Sequence, residues 1–496
     1  MQHTRLLSTM LFLCAAIASH GQSFPGYHTS QYAGIHAVPF NPALAAGTRY
    51  RWDVNIVAAD VKAGNTYIRF NKSSLLSSDG KNNKLVRNVD YFPDSLATRK
   101  QYAWGSADLM LPSVLYSIDE RQSIAFTWRV RGSVYGGDVK TTTANFFALD
   151  YPNPRFMQKT FADEYGGTFG HAWNEFAFSY ARVIKDNGDH RWKAGLTLKY
   201  LGGQAAAYAV GRDASFIFDN PNQVDINSGR FYYAYNEEMD EVSGNNWNTI
   251  YNPFQNPGIG ADIGVVYEWR PDNDGFNSFQ EGGDWNQDAD TWKARLGVSI
   301  VDIGGISYSK SATSANLDMR AQDFPASELR KKKGESMRSW TNRLASTFAP
   351  LEREDKFYMN LPTSLNLMGD YNIDGRFFVS ASATVALTGG RKDDNKTSAL
   401  TQLQVTPRWE STHLGAYLPI QVNRYGQTDA GVVLRAGPLV IGSATLFTTL
   451  FRETINHADV FVALRVIPIR FNRWSWDKGN GGIFRKKRNQ LGCPDI

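Results

Sequence analysis

The chain's 496 residues hold 53 Lys plus Arg against 48 Asp plus Glu, and the net charge of +5 is not gathered into a basic groove, which excludes a nucleic-acid-binding function. Hydrophobic residues make up 42% and mean hydropathy is −0.39, yet no apolar run is long enough for a transmembrane helix. A transmembrane β-barrel survives both limits, because only alternate strand residues need be apolar.

The one long apolar run, Leu6–Ala18, follows Arg5 and reads as a secretory signal peptide over residues 1–21, cleaved near Gly21. Cys14 does not read as a lipoprotein cysteine, since Leu13 stands where a small residue belongs. Signal removal leaves only Cys493, so an intramolecular disulfide is excluded. Residues 22–49 show no strand alternation, are rich in small and apolar residues, and are predicted to fold into a barrel lumen as a plug. Within them stand Asn41, Pro42 and Ala43: Pro42 biases Asn41 to extended backbone, and the Asn41 amide suits a tie to strand backbones. His28 and His36 read as packing residues and not as metal ligands.

The barrel is predicted over residues 50–469 as an all-β, antiparallel transmembrane barrel of about fourteen strands. Ser123–Val134 sets the pattern, with Ile124, Phe126, Trp128, Val130 and Val134 on one face and Ala125, Thr127, Arg129, Arg131 and Ser133 on the other. The remaining strands are expected near Tyr50–Ala58, Ser106–Ser117, Asn174–Ile184, Trp192–Leu201, Ile259–Trp269, Trp292–Ile303, Phe357–Tyr371, Arg376–Leu387, Thr401–Trp409, Leu414–Val422, Ala430–Ala436, Leu439–Phe447 and Ala458–Ile467. Short turns such as Asp119–Gln122 and Ile373–Gly375 alternate with long connections at Lys62–Gly105, Tyr135–Trp173, Gly202–Gly258 and Gly304–Lys356. That parity puts both termini in the periplasm, although Arg270–Thr291 is long for a periplasmic turn. Ala326–Phe348 has helical spacing, and residues 470–496 form a Gly-rich basic tail with Arg485, Lys486, Lys487 and Arg488.

On the polar phase of the strands lie Arg129, Arg131, Lys193, Lys199, Lys293, Arg295, Arg435 and Arg465. Two readings stand side by side. These cations could receive an anionic head group, or they could pair with the inward acids Asp53, Glu175, Asp262 and Glu268 in a salt-bridge lattice. No nucleophile motif accompanies His171 or His457, so the chain reads as a non-enzyme. The acidic stretches Glu237–Glu241 and Asp272–Asp290 lack the spacing of a calcium loop, and neither a metal nor another cofactor is implied.

The Asn-Pro-Ala segment, Lys199-Tyr200-Leu201-Gly202-Gly203, Leu361-Pro362-Thr363, Pro407-Arg408-Trp409-Glu410 with Tyr417-Leu418-Pro419, and Arg435-Ala436-Gly437-Pro438-Leu439 resemble an uncharacterised family of outer-membrane barrels defined as a domain of unknown function. More distantly, the architecture resembles the long-chain fatty-acid transporter superfamily. That resemblance implies an N-terminal hatch in the lumen, around which hydrophobic molecules pass to leave by a gap in the wall. The expected function is passive transport of hydrophobic or amphipathic small molecules across the cell outer membrane, the barrel being set in outer-membrane lipid. The alternative is a non-transporting accessory subunit of an outer-membrane complex, which would take a protein partner through its outer loops or basic tail.

Overall fold

The computed structural model describes residues 24–468, apart from 77–85, 149–156, 242–251, 272–291, 330–331, 333–334, 336, 352–353 and 389–396. The expected signal peptide, the tail and most of Arg270–Thr291 lie outside the described residues.

Fourteen antiparallel strands form one closed barrel. They are β1 (Trp52–Asn65), β2 (Gln101–Met110, continued by Ser113–Ser117), β3 (Gln122–Val139), β4 (Thr160–Asp186), β5 (His190–Asn220), β6 (Pro257–Trp269) and β7 (Ala294–Ser309). The second half comprises β8 (Lys356–Asn360 and Ser364–Asn372), β9 (Phe377–Ala386), β10 (Gln402–Glu410), β11 (Leu414–Tyr417 and Ile420–Asn423), β12 (Thr428–Ala430 and Val432–Ala436), β13 (Leu439–Ser443) and β14 (His457–Val466). Each pairs with the next, and β1 closes on β14 from Val54 opposite Val466 to Gly64 opposite His457.

Alternation decides what faces where. In β3 the exposed or half-exposed residues are Ile124, Phe126, Trp128 and Val130, while Ala125, Thr127, Arg129 and Arg131 are buried. Around the barrel the exposed positions are apolar, among them Leu198, Ile263, Leu296, Val298, Leu403, Ile420 and Leu434. Tyr116, Tyr180, Trp192, Trp269, Tyr371 and Phe377 ring the end where the short turns lie. An apolar belt edged by aromatics is the surface a membrane-spanning barrel presents to lipid. Among the described residues no helix is long and apolar enough to cross a membrane.

All fourteen expected strands are present, and four details differ. First, β4 and β5 run 27 and 31 residues, far beyond the roughly ten that a crossing needs. Much of the expected Tyr135–Trp173 and Gly202–Gly258 connections is therefore strand, joined by Gln223–Tyr235, Ala315–Asp318 and Ala321–Pro325 in an extension at the loop end. The apolar dyad stops at the edge of the lipid belt, whereas backbone pairing through small residues such as Gly203 and Ala205–Ala207 continues. Second, Ile56 and Val57 are both exposed because the β1–β14 register shifts between Asn55 and Val57. Third, β7 begins at Ala294, so Trp292 and Lys293 precede the ladder, and Trp292 points inward. Fourth, β13 stops at Ser443, and Leu446–Phe451 is helical. Leu446, Phe447, Leu450 and Phe451 recur at helical and not strand spacing. The helical spacing of Ala326–Phe348 is realised as a 3-10 turn, Ala326–Leu329, and the helix Met337–Thr347.

Candidate functional site

Residues 24–49 run through the inside of the barrel. Only Gln31, Pro39 and Gly47 among them reach partial exposure. Two 3-10 turns, Gly34–Ala37 and Pro42–Ala45, compact the segment. Many of its polar groups are met by strands on several sides of the wall, as buried backbone requires. The Phe24 N–H donates to Asp60 of β1 at 3.0 Å, and the Ile35 N–H to Asp53 at 2.9 Å. Thr29 reaches Ser380 of β9, and Ser30 reaches the Tyr417 hydroxyl of β11, each at 3.1 Å. Ser299 of β7 and Asn366 of β8 both donate to the Phe40 carbonyl, at 2.6 and 3.0 Å. His36 bonds Asn55 at 2.9 Å, and His28 packs on Phe40 with ring centroids 4.2 Å apart.

Asn41 is extended at φ −153°, and its Oδ1 accepts the Ala43 N–H at 3.0 Å, capping the second turn. Its Nδ2 donates to the carbonyls of Val265 and Val298, at 3.3 and 3.2 Å, on two adjacent wall strands. The approach is that close because the wall carries glycine there. A Cβ at Gly264 would lie 2.1 Å from Asn41 Oδ1, and one at Gly195 would lie 2.4 Å from the Pro42–Ala43 backbone. Gly195 and Gly264 are direct partners across β5 and β6, so together they form a dent that seats Asn41, Pro42 and Ala43.

The inward charges pair with one another. Arg129 binds Asp108 and Glu175, and Arg131 binds Glu175 and, at 2.8 Å, Asp302. Lys199 lies 2.6 Å from Asp302 and 2.7 Å from Asp262. Nearer the turn end Lys193 pairs with Glu268, while Arg295 and Arg408 share Asp370 at 2.9 and 2.7 Å. Arg465 spans Asp53 at 2.9 Å and the carbonyls of Tyr32 and Ala33. Arg435 instead donates to the turn carbonyls of Ser411, Thr412 and Leu414 and lies 4.3 Å from the centre of the Tyr32 ring.

Lys293 is corrected: it does not face the lumen. Its Nζ donates to the Ile373 carbonyl at 3.0 Å and sits 5.1 Å from the centre of the exposed Tyr371 ring, because β7 starts one residue after it. Asp302 went unrecognised in the sequence for a related reason. Its φ is +59°, and the β6–β7 register shifts here, so Val301 and Asp302 both face inward. The signal was Gly304-Gly305 just beyond it, since glycines inside an apolar strand mark a bulge.

Between residues 24–49 and Lys193, Glu268, Trp292 and Arg295 lies a cavity of about 30 Å³, space for about one water molecule. A larger one, about 290 Å³, lies in the extension at the loop end, walled by Phe216, Phe218, Val224, Ile226, Phe231, Leu329, Trp340 and Leu344, with Arg230 at its side. His171 stacks on Trp173, and His457 pairs with Asp429 at 2.6 Å. Glu237–Glu241 forms a 3-10 turn, and among the described residues no three His, Cys, Asp or Glu side chains are grouped to hold a metal ion.

The sequence pattern of a family described as a family of unknown function, DUF5723, matches residues 42–444, from the Pro42 seat to the residue after β13. The chain belongs to that family. No curated protein matches this DUF5723 chain. Solved structures similar to it include the toluene transporter TbuX of Ralstonia pickettii, at 10% identity over 91% of this chain and 99% of that one, with a TM-score of 0.41. The toluene transporter TodX of Pseudomonas putida follows at 10% identity, 91% and 97% coverage and 0.38, and a FadL homologue of Pseudomonas aeruginosa at 11%, 90% and 95%, and 0.38. At that distance nothing of their cargo transfers to the DUF5723 chain.

Proposed function

We propose that the protein is an outer-membrane barrel that takes up hydrophobic or amphipathic small molecules at its outer end and passes them on. The loop end faces outward, both termini are periplasmic, and residues 24–49 are the plug that closes the lumen. The lumen cations act as wall cement: Arg129, Arg131, Lys193, Lys199, Arg295, Arg435 and Arg465 each bind a protein acid or carbonyl.

One observation carries this reading, the apolar cavity of about 290 Å³ beyond the lipid belt. Water gains little in a space walled by Phe, Leu and Val, and an apolar cavity of roughly half that size accepts benzene. The cavity therefore suits a molecule of about two fused rings or a medium alkyl chain. Arg230 at its side pairs with the half-exposed Asp213 and could exchange that partner for a carboxylate head.

The test is binding of N-phenyl-1-naphthylamine, which brightens in apolar surroundings, to the protein in nanodiscs. Leu344→Arg and Phe216→Arg should each weaken binding at least about tenfold, or about 1.4 kcal/mol. Both variants must still migrate as folded barrels on an unheated gel. Unchanged binding in both would remove the basis of the proposal.

A further inference from the structure

The lipid belt is not level. Between β6 and β10 its outward face sinks into an open apolar groove of about 550 Å³. The register sets Leu296, Gly369 and Ala381 side by side on β7, β8 and β9, with Val298, Leu367, Ala383 and Leu403 in the next outward row. Gly369, Ala381 and Ala383 make the floor, and the exposed Leu296, Val298, Leu367 and Leu403 make the walls. Packing of the barrel does not ask for this hollow. A Cβ at Gly369 would meet only Leu296 Cδ2, at 3.5 Å, an ordinary contact, whereas one at the nearby Gly297 would lie 2.7 Å from the Met368 side chain. A glycine inside a strand costs roughly 0.5–1 kcal/mol against alanine. At Gly369 the fold gains nothing for that cost, and what the glycine leaves is space.

The groove runs out at the aromatic ring of the short-turn end, the level at which such rings meet lipid head groups. Trp192 and Tyr267 stand at its β5–β6 side, with ring centroids 4.9 Å apart. Toward the turns, the outward residue after Gly369 on β8 is Tyr371, roughly 7 Å further along the strand, and its ring carries the half-exposed Lys293. An ammonium has three donors. One from Lys293 goes to the Ile373 carbonyl at 3.0 Å, and among the described residues no acid pairs with it. The acid of the same turn, Asp374, accepts the backbone N–H groups of Arg376 and Phe377 at 3.0 and 2.8 Å, and Asp370 faces inward to Arg295 and Arg408. A cation with donors to spare thus stands at head-group level, at the end of an apolar hollow that opens onto lipid.

We propose that this groove is a phospholipid site, in which one acyl chain lies over Gly369, Ala381 and Ala383 and the phosphate sits on Lys293. Chain and head group are engaged together, so this lipid exchanges more slowly than its neighbours in the belt. The site requires the barrel in lipid and does not require the transport reading. The probe is phosphatidylglycerol with a diazirine in one acyl chain, present as a trace in phosphatidylethanolamine vesicles that hold the full chain, and mass spectrometry locates the light-induced label. Labelling of Leu367–Gly369 and Ala381–Ala383 should exceed that of Leu434 and Ile441, on the equally apolar β12–β13 face, at least fivefold. Gly369→Leu combined with Ala381→Leu, which adds only outward apolar atoms, should abolish the excess in a barrel that is still heat-modifiable. Lys293→Gln, which leaves the groove empty and the fold intact, should cut it at least threefold, and Lys293→Arg should retain it. Diacylglycerol with the same diazirine, lacking the phosphate, should show no excess. Labelling even around the belt, or an excess that survives both the filled groove and Lys293→Gln, overturns the site. An excess that responds to the filled groove but not to Lys293→Gln overturns it too, because the groove then holds any chain. So does a dimer on an unheated gel that the filled groove abolishes, because the occupant is then a second copy of this chain.

Discussion

Glu175 shows how far a single lumen carboxylate carries. It meets Arg129, Arg131 and Lys199 with almost no water to share the load. Removing one partner of a buried pair strands the others, at a cost of about 3–5 kcal/mol. Glu175→Gln should therefore lower the urea stability of the folded barrel by that order. Lys293→Gln, at the exposed rim, should stay within about 0.5 kcal/mol. Equal losses would mean the lattice is not what supports the wall. On the outward face of the neighbouring β3, Phe126→Arg places a cation in lipid at a cost of about 2–4 kcal/mol near the midplane. Its folded fraction in vesicles should fall accordingly, and an unaffected yield would contradict the strand phase. Most of the lumen chemistry was legible residue by residue, because side-chain direction follows from period two. Asp302 and Lys293 were not, since a bulge and a strand start each reset that period locally.

At the scale of elements, the seat of Asn41, Pro42 and Ala43 depends on what the wall lacks. Gly264→Val or Gly195→Val would put side-chain atoms where the inner segment now lies, and the segment must move because its neighbours are backbone and a buried amide. Either variant should expose residues 24–49 to added protease, while the barrel stays heat-modifiable. Protection equal to wild type would show that the seat is loose. The Asn-Pro-Ala motif announced a tie to strand backbones, but its partners, Val265 and Val298, could not be known before the register was. The same holds for β13. The alternation of Leu439, Ile441 and Ser443 carries on weakly to Phe447, and only the bonds of Ala444, Thr445 and Ser443 to Asp459 show why the ladder ends where it does. The long extension of β4 and β5 was hidden because hydrogen-bonded strands outside lipid need no apolar dyad.

At the scale of the whole molecule, the described residues form a closed barrel with an apolar cavity at one end and a helical segment of wall on one side. The inner segment and the paired charges fill the lumen, the apolar cavity sits in the extension beyond the belt, and the wall thins to a helix between β12 and β14. If residues 24–49 plug the lumen, as proposed, the barrel should not conduct ions. Single-channel recording in planar bilayers tests this directly, by comparing the wild-type barrel with one lacking Phe24–Phe40 and keeping β1 intact. The wild type should show no conductance steps, and the deletion should show steady open channels. A conducting wild type, or a deletion that remains closed while folded, would contradict an inner segment that plugs the lumen.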